Sequence, residues 1–188
     1  MKEIGKVRTE DETLRLAEEL AVQAGFRTAL FDAKLLCPEP EVRRMCADNR
    51  CSRFGASWSC PPACGSIKDL SEQMAGYEIG LLLVSVSDVD GDFDLEGIRN
   101  ADQLHKKRFD TVVRQVRQML PKCMPMAAGS CTRCVKCTYP DAPCRHPDRL
   151  YPSMEACGLI VSNVCDLCGI RYNNGPSTIT FVSCILLK

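Results

Sequence analysis

The chemistry this chain can do is mostly thiol chemistry: 14 of its 188 residues are cysteine and two are histidine. Eight of the thiols fall into two groups, and seven of these have ligand-like spacing. The tighter group is Cys131-Thr-Arg-Cys134-Val-Lys-Cys137, with Cys144 after six intervening residues. Thiols three residues apart cannot all point one way from a strand or a helix. They must ride a tight loop and wrap one object larger than a single ion, which is the logic of the C-x2-C-x2-C run that holds iron–sulfur clusters. Structural zinc more often takes two C-x2-C pairs divided by a longer segment. The triplet therefore points to an iron–sulfur cluster, 4Fe–4S by type, with zinc as the alternative and unligated thiols as the plain reading.

The second group is Cys46-x4-Cys51-x8-Cys60-Pro61-Pro62-Ala63-Cys64. Cys46, Cys51 and Cys60 are its expected ligands, and unreactive thiols packed in a loop are the alternative. Cys37 and Cys64 rank below them. Two prolines with fixed φ keep the chain extended and should carry Cys64 away from the site Cys60 reaches. That leaves three thiolates, with the fourth position going to a distant thiol such as Cys165 or Cys184, or to an exchangeable small ligand. Cys165-x2-Cys168 shares one helix face, but core packing suits these residues and Cys184 better, because free cysteine is among the most buried residue types. Cys123 and Cys157 have no assigned role. His146 beside Cys144 can hydrogen-bond a cluster sulfur or simply stand partly exposed.

Both cysteine-rich stretches carry excess cations: Arg43, Arg44, Arg50 and Arg53 in one, Arg133, Lys136, Arg145 and Arg149 in the other. Cations beside cysteine favour the thiolate and offset the charge of a finished cluster; ordinary solvated arginines are the alternative. Over the whole chain 24 Lys and Arg balance 24 Asp and Glu, so no net field points to nucleic acid or an anionic membrane. The N-terminus shows no apolar signal core, and the longest apolar run, 79–86, is too short to span a bilayer. A cytoplasmic chain is expected, in which thiols stay reduced unless they bind metal or do redox chemistry. No GxGxxG or Walker loop appears. Cys60-x3-Cys64 begins the C-x3-C-x2-C pattern of adenosylmethionine radical enzymes, but the next cysteine is Cys123.

The elements that must hold these loops can be read from pattern. Residues 10–24 are amphipathic, with Thr9 and Glu12 as a capping box and Gly25 as a stop. Residues 28–32 suit a short strand, and 37–64 an irregular loop punctuated by proline and glycine. Ser66 with Asp69 caps a helix ending near Ala75, and 78–87 reads as a buried strand. After the acidic 88–94 loop, 95–119 has helical periodicity up to Pro121. Residues 123–128 form a strand that feeds the second loop, 129–152. Ser153 caps a short helix, 161–169 forms another, Asn174-Gly175-Pro176 turns, and 178–187 is a β-prone last strand. The order predicts a single α+β metal-binding domain over 1–188: a small mixed sheet of ferredoxin-like topology, flanking helices and two cysteine-rich loops.

Two segments bear a family resemblance. Cys46-x4-Cys51, Phe54-Gly55 and Trp58-Ser59-Cys60-Pro61-Pro62 resemble the first signature of an uncharacterised prokaryotic family of predicted metal-binding proteins. Gly129-Ser-Cys131-x2-Cys134-x2-Cys137, Pro143-Cys144-Arg145-His146-Pro147 and Pro152-Ser153-Met154-Glu155-Ala156 are similar to its second. The resemblance runs from about residue 8 to the C-terminus and implies metal binding, with iron–sulfur clusters suspected, and no particular reaction. Cys64 and Cys157 stand where relatives are expected to carry other residues.

Three functions follow as expectations. The first is one or two iron–sulfur clusters serving electron transfer, or an accessory role to a redox or metabolic partner protein in anaerobic metabolism. The second is an enzyme whose incompletely ligated cluster acts as a Lewis acid on a small substrate. The third is a zinc-stabilised binding module.

Overall fold

A computed structural model describes residues 10–91 and 93–188. Among them the chain runs α1 (Glu10–Gln23), β1 (Arg27–Asp32), α2 (Pro40–Ala47), α3 (Ile67–Met74), β2 (Ile79–Asp88), α4 (Leu95–Met119), β3 (Met124–Met126), α5 (Val161–Leu167) and β4 (Thr178–Leu187). Thr9 of the expected capping box lies outside the described residues.

The four strands make one sheet in the order β1-β2-β4-β3, every pair antiparallel. The α+β class holds, but the sheet is not mixed. With β1 and β2 as direct antiparallel neighbours, it also lacks the split βαβ unit that a ferredoxin-like topology needs. The two central strands are buried on both faces over residues 80–85 and 182–187, where they are mostly apolar, as strands covered on both sides are. Their register pairs Leu81 with Ile185 and Leu82 with Cys184. The pleat then sends alternate residues to opposite cores. Leu81, Leu83, Ile185 and Leu187 pack under α1 and α4 with Ala17, Phe109, Val112 and Val116. Leu82, Val84, Cys184 and Leu186 face Leu70 and Met74 of α3 and Val164 and Cys165 of α5.

His105 of α4 is buried between the strands, paired through Nδ1 with Ser85 Oγ at 2.7 Å and through Nε2 with Ser183 Oγ at 2.8 Å. Burial, with Lys106 and Arg108 nearby, pushes its pKa down to about 3. It is a neutral core histidine whose two nitrogens are both satisfied.

Each cysteine loop is a long insertion between antiparallel neighbours, the first between β1 and β2 and the second between β3 and β4. The first is not wholly irregular. Pro40–Ala47 is helical, with proline in the first turn, where its missing N–H costs nothing. Conversely, Ser153 caps no helix. Its Oγ accepts from Ala156 N at 3.0 Å, and the segment stays a turn that closes at Gly158, φ +84°. Gly158 O accepts from Glu39 N at 2.7 Å, and a Cβ there would stand 2.8 Å from Ile67 Cδ1. That close approach seats the start of α2 against the 153–158 turn.

Candidate metal centre

The second loop brings its four thiols together. Cys131, Cys134, Cys137 and Cys144 line one cavity of about 30 Å³, with Ser57, Trp58, Arg133, His146 and Arg149 also in its wall. Burial alone would raise the Cys137 pKa. Backbone N–H groups of Tyr139, Trp58 and Thr138 and the Ser57 hydroxyl outweigh it and bring the thiol below its ordinary value. Donors aimed at a ligand sulfur are how loops tune clusters. His146 N donates to Cys144 Sγ at 3.4 Å.

The loop lacks regular structure and is held from outside. Asp110 of α4, 4% exposed, accepts from Arg133 at 2.8 Å, from Arg149 Nε at 3.1 Å and from Tyr151 Oη at 3.3 Å. Arg149 Nη2 donates to its other carboxylate oxygen. Burial opposes ionisation of Asp110, but bonds from Arg149 and the charge of Arg133 prevail and hold its pKa below the usual carboxylate range. Arg133 lies between the first two thiols and Arg149 just past the fourth, so one carboxylate pins both ends of the loop. Trp58 adds a clasp from the first loop, donating to Ala142 O at 3.2 Å and meeting Tyr139 edge-on at 5.0 Å.

Cys46, Cys51 and Cys60 line a larger cavity of about 470 Å³. Cys46 comes from the last turn of α2, Cys51 and Cys60 from the turns that follow. Val42, Met45, Phe54 and Pro61 supply apolar wall, Arg50 and Arg53 positive charge, and Gly129, Ser130, Ser153 and Glu155 close the far side. Burial raises the Cys46 pKa; Arg43 opposes this, while Glu155, Cys51 and Cys60 push it further up. The three thiols and the carboxylate thus share one electrostatic neighbourhood.

Cys64 lines a separate cavity with Cys123 and Leu70. Cys64 does not line the cavity of Cys46, Cys51 and Cys60, and the geometry differs from the extended one expected. The chain after the prolines turns rather than extends, Cys64 N bonding to Cys60 O at 3.1 Å. Arg43 then takes the sulfur, donating from Nη1 at 3.4 Å and from Nη2 to Gly65 O at 2.7 Å. Cys165 and Cys184 do not supply a fourth ligand to this cavity; they are packed in the core with Cys157. Burial pushes Cys165 up to about 11 and Cys157 up to about 12, and raises Cys184 further. Cys37 is exposed and lines neither cavity.

The two cavities adjoin. Ser57 and Trp58 line one, Cys60 and Pro61 the other; Ser130 belongs to the larger cavity and Cys131 to the smaller. Ser59, fully buried, spans the partition: its Oγ accepts from Cys131 N at 2.9 Å and lies 3.8 Å from Cys60 Sγ. Sequence reading missed Asp110, Ser59, Ser130 and Glu155, and gave Arg43 only as one of the cations beside the first thiols. Ser59, Ser130 and Glu155 lie within the two signature segments, where attention to cysteine passed over them. Asp110 gave no local signal.

Among the described residues, no three His, Cys, Asp or Glu side chains stand close enough to grip one metal ion. A tetrahedral zinc with Zn–S of ~2.3 Å draws its thiolates to within about 4 Å of one another. No helix among the described residues is long and apolar enough to cross a membrane. The model of a family described as "Predicted metal-binding protein (DUF2284)" matches residues 29–187. No curated protein and no solved structure matches the chain significantly.

Proposed function

We propose that this chain, which belongs to the DUF2284 family of predicted metal-binding proteins, is an iron–sulfur protein with two adjacent cluster sites that passes electrons to or from a partner protein. The observation that carries the reading is the pairing of two thiol-lined cavities through Ser59. Cys131, Cys134, Cys137 and Cys144 would hold one 4Fe–4S cluster, and Cys46, Cys51 and Cys60 would hold the other. The donor set fits: thiols without a disulfide among them, arginines to offset cluster charge, and N–H groups aimed at Cys137. Seating a cubane in the smaller cavity requires its turn-only loop to spread. When bound, such clusters supply one-electron chemistry.

The chain's own residues then do three things. Asp110 fixes the smaller site to the rigid helix α4 through Arg133 and Arg149. The donors around Cys137 stabilise the thiolate. Ser59 connects the backbone of one site to a thiol of the other. Beside Cys131 a further cavity of about 430 Å³ is lined by Lys106, Lys107, Arg114, Arg133 and Arg149 against Asp110, so an acidic partner surface from anaerobic redox metabolism suits this face.

The volume of the larger cavity favours a second reading, an enzyme that offers an under-ligated iron to a small substrate as a Lewis acid. Protein purified without oxygen should be brown, carry iron with acid-labile sulfide, and undergo reversible one-electron reduction. Stoichiometric zinc with no sulfide would overturn the iron–sulfur reading in favour of a zinc-stabilised binding module. Cluster signals that change with an added small substrate, without redox cycling, would favour the enzyme.

A further inference from the structure

We infer that Glu155 is the fourth ligand of the larger site, so that its cluster is held by three thiolates and one carboxylate. The inference rests on the iron–sulfur reading above and concerns what completes the group of Cys46, Cys51 and Cys60.

The larger cavity offers a shortage of thiols and a surplus of unpartnered oxygen. Its lining contains three cysteines. Two buried side-chain oxygens without a hydrogen-bond partner, Glu155 Oε2 and Ser130 Oγ, belong to residues in the same wall. Leaving a buried carboxylate oxygen unmatched costs on the order of 1–3 kcal/mol or more, so native structures pair such atoms with protein, water or an ion. Arginine does not quench Glu155. Arg43, three residues before Cys46, spends its donors on Ala156 O, Gly65 O and Cys64 Sγ, and none of the ion pairs among the described residues involves Glu155.

The position of Glu155 is fixed by its backbone. Ser153 Oγ takes Ala156 N, Met154 N bonds to Ala127 O at 3.2 Å, and Glu39 N bonds to Gly158 O. Arg43 reaches from α2 to Ala156 O. These bonds hold the 153–158 turn against the helix that carries Cys46, placing carboxylate and thiols around one space. No other thiol lines this cavity: Cys64 and Cys123 line another, Cys157, Cys165 and Cys184 lie in the core with Cys168 against it, and Cys37 is exposed. Of the two carboxylates in the wall, Asp48 is exposed, and Glu155 is the one with a buried, unpartnered oxygen.

A carboxylate is a harder ligand than a thiolate and is more readily exchanged. One iron of this cluster is therefore distinct from its three neighbours, and it is the corner at which a small oxygen-donor ligand can enter when Glu155 swings away. Ser130 Oγ, unpartnered in the same wall, is free to hydrogen-bond the entering ligand.

The test is Mössbauer spectroscopy of the full chain assembled without oxygen from enriched iron and sulfide, as wild type, Glu155→Cys and Glu155→Gln. Wild type should show one iron per chain with the larger isomer shift of oxygen ligation. Glu155→Cys should keep its full iron and sulfide and convert that component to the all-thiolate type. Glu155→Gln should lose about one iron per chain on mild oxidation. A wild-type spectrum of all-thiolate irons overturns the assignment of Glu155 while leaving the iron–sulfur reading intact, and it does so even if both variants fail to fold. A distinct iron that persists unchanged in a folded Glu155→Cys protein also overturns it, since the oxygen then comes from elsewhere. Wild type without iron and sulfide overturns both readings.

Discussion

The two cysteine loops were assembled from the same residue types, but they are held in opposite ways. The smaller site is built from a C-x2-C-x2-C run that gathers its own thiols, and its loop is tied down from outside by Asp110 and by the Trp58 clasp. The larger site gathers its thiols from α2 and the turns after it, and no ion pair ties its cysteine-bearing turns to the rest of the chain among the described residues. It leaves polar atoms of Glu155 and Ser130 unmatched. On the reading proposed above, a site closed by four thiolates and fixed to a long helix would suit electron exchange, and a roomier site with mixed ligands would suit exchange of a ligand. The contrast shows that ligand spacing alone does not decide what a cysteine loop can do; its tether and its unmatched atoms matter as much.

The largest expected effect tests which thiols are ligands at all. Replacing Cys134 or Cys137 by Ser should strip a whole cluster's worth of iron, about four atoms per chain for a 4Fe–4S site. The same change at Cys157 or Cys168 should leave metal content intact. Iron analysis of the four variants decides it, and the reverse pattern would break the comparison outright.

A smaller effect tests the tether. Asp110→Asn leaves Arg133 and Arg149 without their buried partner and should destabilise the chain by about 3 kcal/mol, as breaking a buried ion pair does. A urea midpoint measures that. Iron analysis after brief air exposure should show loss concentrated at the smaller site while the larger one persists. Equal loss from both sites would mean that Asp110 supports the whole molecule and not one loop.

The smallest effect is expected at Cys64. Because Arg43 engages its sulfur and its side chain lines another cavity, Cys64→Ala should change neither iron content nor the EPR spectrum of the reduced protein. Loss of the larger site's signal would make Cys64 its fourth ligand and dissolve the distinction between the two loops.

Much of the scaffold was legible from local pattern. The apolar stretch within 78–87 marked a buried strand and the β-prone 178–187 the last strand, the periodicity of 95–119 marked a long helix, and Asp94 caps that helix by accepting from Gly97 N at 2.8 Å. Helix α2 escaped because proline before a short polar segment reads as loop punctuation, although proline is at home in a first turn. The helix expected after Ser153 failed because the hydroxyl's bond to Ala156 N satisfies a turn as well as a helix, and Gly158 ends it. The strand pairing also lay beyond reach, since β-ladders join residues about a hundred positions apart, as Leu81 and Ile185 are.

The sequence by itself determined that Cys131, Cys134, Cys137 and Cys144 share one short loop, and loop closure over so few residues makes them line one cavity. Only the tertiary structure decided the rest. It set the two cavities side by side across Ser59, sent Arg43 to Cys64, buried Cys165 and Cys184 in the core, and turned Glu155 toward Cys46, Cys51 and Cys60. The reason is physical. Local spacing fixes directions over one or two turns of chain, whereas a carboxylate far along the chain from the thiols it faces is placed by sheet register, core packing and the hydrogen bonds of a single turn.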